Sequence, residues 1–119
     1  MGDGAKPWET SARAIAVRRP TLSPMVIAVI RIRLRLPSRT LKEKRAIVKS
    51  TVERLRSRFN ASVAEVDDLD EVGVATIAAA CLSNQNAHAD AQVQEIARVI
   101  EEWRLDAEVI AIETELIQV

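Results

Sequence analysis

The apolar period of the chain changes abruptly at Pro37. Before it, in Val26–Leu36 (VIAVIRIRLRL), Ile30, Ile32, Leu34 and Leu36 alternate with Arg31, Arg33 and Arg35. Period two with β-branched residues places the apolar side chains on one face of a strand. Beyond it, over Leu41–Phe59, Leu41, Val48, Thr51, Val52, Leu55 and Phe59 recur at spacings of three, four and seven, which is one face of an α-helix. Each face must be buried against another element, so the pair already implies a layered α/β domain. Pro37 cannot donate to a sheet ladder and ends the strand. Thr40 and Glu43 form the S/T-x-x-E capping box that starts a helix, and Asn60 is predicted to end it in the left-handed conformation.

The remaining chain repeats the alternation of strand and helix. Ala61–Val66 reads as a short strand, Asp67–Glu71 as a polar turn, and Val72–Leu82 as an apolar run suited to a central strand covered on most of both faces. Ser83 to Asn86 supply cap candidates for a helix over Ala87–Trp103, with Ala89, Val93, Ile96, Ala97, Ile100 and Trp103 on its apolar face. Glu108–Leu116 reads as a last strand, with Ile110, Ile112 and Leu116 turned inward against Val109, Ala111, Glu113 and Glu115. The order βαββαβ predicts an α+β, ferredoxin-like sandwich: a four-stranded antiparallel sheet in the order 4-1-3-2 with two helices on one face. Residues 1–24 hold two of the three glycines and three of the four prolines, without a sustained period. They are expected to be a flexible tail, with a native start at Met25 as the alternative, leaving one domain over residues 25–119.

Net charge is zero, yet the charges are segregated. Between Arg31 and Arg58 there are eleven cationic residues against two glutamates, a net of +9; between Phe59 and Val119 there are two arginines against thirteen acids, a net of −11. On the first helix, Lys42, Arg45, Lys49 and Arg56 are expected along one flank of the apolar stripe, and Lys44, Arg54 and Arg58 along the other. Between them lies a ridge of Glu43, Ala46, Ser50 and Ser57, small or neutral apart from the capping Glu43. Together with Arg39 at the helix start, these long cations around a smooth ridge suit a phosphate backbone. Arg31, Arg33 and Arg35 form a second basic set on the open sheet face, where Glu113 and Glu115 of the neighbouring strand are placed to pair with them. That face carries no aromatic residue, which argues against recognition by base stacking.

No arrangement predicts catalysis, a cofactor or a metal. The acidic turn begins like a calcium loop, but Val72 stands at its third ligand position and Ala79 where a bidentate Glu is needed. His88, the sole histidine, has no second ligand near it in sequence. Some small phosphatases of this fold hold phosphate in the loop before the first helix; Pro37-Ser38-Arg39-Thr40 has no glycine for such a cradle. Cys81, the sole cysteine, sits in an apolar run and reads as a buried hydrophobe. With no internal disulfide available, no apolar run long enough for a membrane span and no signal-peptide core, a cytoplasmic protein is expected.

Three stretches, Leu36–Ser50 (LPSRTLKEKRAIVKS), Arg54–Asp68 (RLRSRFNASVAEVDD) and Cys81–His88 (CLSNQNAH), resemble the YlxP-like family of small bacterial proteins of unknown function. The resemblance spans about Met25–Leu116 and implies a ferredoxin-like fold with no established catalytic residues. Genes of that family commonly neighbour those of translation initiation factor two and ribosome-binding factor A, which implies a role in ribosome assembly or translation. Its members often carry larger residues after SVAEVDD, where this chain has LDEVG. The expectation is therefore a non-catalytic protein associated with ribosomal RNA or a ribosomal subunit. The alternative is a homo-oligomeric protein-interaction module with no nucleic-acid role, joined through exposed sheet edges or by its divided charge.

Overall fold

The structure, a computed structural model, describes residues 24–103 and 106–119. The expected tail, but for Pro24, lies outside the described residues. Six elements follow in chain order: β1 (Val26–Arg35), α1 (Leu41–Arg58), β2 (Ser62–Asp67), β3 (Val74–Ser83), α2 (Asn86–Trp103) and β4 (Glu108–Gln118). The four strands form one antiparallel sheet in the order β2-β3-β1-β4. This is the ferredoxin-like βαββαβ arrangement, with β1 between β3 and β4.

The core lies between the sheet and the two helices. Val26, Ala28, Ile30, Ile32 and Leu34 of β1 are buried, and β3 sets Cys81, Ala79, Ile77 and Ala75 opposite the last four of them. Small residues of β3 thus face large ones of β1 at Leu34–Ala75 and Ile30–Ala79, which lets the two strands share one layer under the helices. From α1 come Val48, Val52 and Leu55; from α2, Ala89, Val93, Ile96, Val99 and Ile100.

The start of α1 is the predicted capping box. The Thr40 hydroxyl accepts from the Glu43 N–H at 3.1 Å, and the Glu43 carboxylate accepts from the N–H groups of Thr40 at 3.2 Å and Arg39 at 2.8 Å. The end differs from the expectation. Phe59, not Asn60, caps the helix, in extended conformation (φ −120°, ψ 146°), and its N–H bonds Leu55 O at 2.9 Å. Leaving the helix there lets the ring pack against the core, so no left-handed residue is needed. Among the described non-glycine residues the left-handed conformation occurs at Asp68 (φ 59°), in the β2–β3 hairpin.

The second correction concerns β4. Its register with β1 shifts between Arg33 and Leu34, so that Ala111 faces Arg33 but Val109 faces Leu34, leaving Ile110 as the bulged residue. Val109 therefore packs on the core in place of Ile110. Ile110, Ile112 and Leu116, read from the sequence as core, remain exposed. β4 is an edge strand, and apart from Val109 its residues are exposed.

Candidate functional site

The seven cations of α1 separate into three groups once the helix is packed. Lys44 belongs to the core stripe: with Val48, Thr51 and Leu55 it forms the series i, i+4, i+7, i+11, and it is 1% exposed. It is therefore not available on the exposed flank expected for it from the sequence. Its stem lies among apolar side chains, and its ammonium ends under the β2–β3 hairpin. There it donates to the carbonyl oxygens of Asp68 and Leu69 and pairs with the Glu65 carboxylate at 3.0 Å. The paired Glu65 oxygen receives no aligned hydrogen bond, so that contact is Coulombic in character.

Arg54 and Arg58 face α2. The Arg54 guanidinium stacks over Trp103 at 4.2 Å, and that of Arg58 lies 5.9 Å from both Trp103 and Phe59. Arg58 also reaches Glu95 at 3.6 Å, a carboxylate held more closely by Arg98 at 2.6 Å. The hydrogen bond from Arg98, ahead of the nearby Arg58 charge, keeps the Glu95 carboxyl below its ordinary pKa. The predicted small-residue ridge of Ala46, Ser50 and Ser57 forms the floor of an open depression of about 590 Å³, rimmed by Lys49, Arg54, Arg58 and Trp103 and interrupted by Glu53. Trp103, expected from its spacing on the apolar face of its helix, is half-buried and packs against the core, and it also closes one end of this depression. Its position at the last turn of α2, opposite Arg54, is the available signal.

The third group is the outer flank, turned to the β2 edge of the sheet. Arg56 is tied there by its bond to Val63 O at 2.6 Å. Lys42, Arg45 and Lys49 share this flank, with Arg39 before the helix. All four side chains are exposed and none has an ion-pair partner among the described residues. At the helix N-terminus the donors of Arg39 and Thr40 are already taken by Glu43. The exposed side chains therefore add their charge to the helix N-terminus in setting the local positive field.

The basic face of the sheet is matched by acids. Arg31 pairs with Glu113 at 3.0 Å, Arg33 with Asp68 at 3.0 Å and Arg35 with Glu108 at 2.6 Å. Of the two predicted partners Glu113 serves, whereas Glu115 lies opposite Val29. The bulge of β4 is the reason Glu108 reaches Arg35: an unbroken register would have set Val109 there. Asp68 also accepts from the buried Thr76 hydroxyl at 2.6 Å. That bond first, and the one from Arg33 next, hold its carboxyl below the ordinary range. Asp68 thus joins β1, β3 and, through Lys44, α1, and it is committed to this hairpin rather than to a ligand. Among the described residues no cluster of His, Cys, Asp and Glu is placed to hold a metal ion. Cys81 is fully buried, and desolvation pushes its thiol pKa upward.

No curated protein matches the chain. Among solved structures it is similar to a de novo designed protein, Foldit4, at 18% identity over 78% of this chain and 96% of that one, with a TM-score of 0.49. The sequence profile of DUF503, described as a protein of unknown function, matches residues 27–114. That span runs from the first strand into the last, and on this ground the chain belongs to the DUF503 family.

Proposed function

We propose that this protein is a non-catalytic accessory factor of the ribosome that docks on RNA phosphates through the outer flank of α1. The observation that carries the reading is the contrast between its two basic sets. The arginines of the sheet are each matched by an acid, whereas Arg39, Lys42, Arg45 and Lys49 stand exposed along one flank without counter-charges among the described residues. Cations that are solvated and close together release counterions when they meet a polyphosphate chain, and this drives association without reading bases. Arg54 and Arg58, at the rim of the neighbouring depression, extend the positive surface along the helix. The resemblance to the YlxP-like family, with its translation-factor gene neighbours, supports ribosomal RNA as the polyanion and the cytoplasm as the place. The reading calls for no cofactor and no bound metal.

The test is a triple variant, Lys42→Gln, Arg45→Gln and Lys49→Gln, measured for binding to ribosomal RNA and to the small subunit across a salt series. Three lost phosphate contacts reduce the log–log salt slope by about two. The side chains flank the core without filling it, so unfolding free energy should change by less than about 1 kcal/mol. An unchanged affinity and slope in a folded variant would refute this interface.

A further inference from the structure

The two edges of the sheet are built differently. β2 is six residues long, ends in Asp67, shifts register against β3, and has its hairpin pinned by Lys44. Such short, irregular and charged edges resist pairing with another chain. β4, the other edge, runs eleven residues without proline, and its register irregularity lies near its start. Its helix-side residues Ile112 and Leu116 are each 40% exposed, and on the opposite face so is Ile117. An edge that no described residue protects, with apolar residues on both faces, is a site for strand addition.

We infer that β4 pairs antiparallel with β4 of a second copy, about a two-fold axis through Thr114, to give a continuous eight-stranded sheet. The strand sequence favours its own copy as the occupant. Around Thr114 it is nearly palindromic in chemistry: Ile112 and Leu116 flank it on the helix side, and Ala111 and Ile117 flank the pair Glu113 and Glu115 on the other. Antiparallel pairing about Thr114 therefore sets Ile112 against Leu116 of the other copy, Ala111 against Ile117, and Thr114 against itself, all favourable cross-strand pairs. The unfavourable term is Glu113 against Glu115, and it is moderated because Arg31 already neutralises Glu113 at 3.0 Å. Shifting the axis by one residue either way puts Glu113 or Glu115 directly against itself.

One edge strand makes a small interface, so association in the micromolar range is expected. Sedimentation equilibrium of the full chain up to about 200 μM should fit a monomer–dimer equilibrium in that range. Ile112→Lys with Leu116→Lys should weaken it at least tenfold while leaving the circular dichroism spectrum intact. Glu115→Gln should tighten it about fivefold, because it removes two opposed like charges by symmetry. Thr114→Cys tests the register: directly opposed residues of antiparallel strands lie within disulfide reach. Since Cys81 is buried, the introduced thiol is the accessible one and should give a covalent dimer on mild oxidation. A monomer throughout the concentration range overturns the inference. So does a dimer that the lysine pair leaves unchanged, or one that Thr114→Cys fails to cross-link.

Discussion

Replacing Lys44 by Met isolates the interaction that fastens α1 to the β2–β3 hairpin. Met keeps the length and most of the volume of the stem, so no large cavity opens and the change falls on the ammonium. Two carbonyl oxygens, of Asp68 and Leu69, lose their donor, and Glu65 loses its counter-charge. Removing one partner of a buried pair costs about 3–5 kcal/mol. The Glu65 side chain is 17% exposed, and water reaching its carboxylate moves the expected cost to about 3 kcal/mol. For a domain of this size, that lowers the melting temperature by roughly 12–24 °C. Thermal and urea unfolding of Lys44→Met measure it directly. Adding Glu65→Leu removes the orphaned charge, so the double variant should be more stable than Lys44→Met by about 1–2 kcal/mol. A drop of less than about 4 °C for Lys44→Met would refute the buried anchoring of Lys44. Strict additivity of the two substitutions would refute the ion pair.

Two further outcomes test the frame that positions the site. Thr40→Ala should destabilise by roughly 1 kcal/mol, because the Glu43 N–H loses its acceptor; an unchanged urea midpoint would show that the capping box is inert. The Asp68 carboxyl is held below its ordinary value by Thr76 and then Arg33, so its stabilising effect is present above about pH 4 and is lost as the pH falls through the lower folded value. Asp68→Asn should therefore flatten the acid limb of the melting temperature against pH. The limb should not vanish, since Glu95 is held low by Arg98 and acts with the same sign. An acid limb identical to that of the parent chain would remove Asp68 from this role.

Local pattern determined much of this protein. Period two in β1, the capping box at Thr40 and Glu43, and the helical stripe of α2 each depend on neighbours within a few residues, and each element formed where its pattern lay. The order of elements then left few ways to cover the apolar faces, and the sheet order followed. The charged helix was equally legible as a basic surface, but which of its cations stay free was not. The spacing set Lys44 on a flank of the apolar stripe with Arg54 and Arg58, and a lysine can be buried only where acceptors await it. Those acceptors come from Glu65, Asp68 and Leu69, more than twenty residues away, in a hairpin whose position depends on the packed sheet. In the same way, nothing local in β4 announces its bulge. The register against β1 decides that Val109 turns inward, that Glu108 meets Arg35, and that Ile112 and Leu116 stay exposed. The sequence by itself determined the elements and their order, because these rest on local spacing. Only the tertiary structure decided which charges are matched and which edge is open, because both depend on partners distant in the chain.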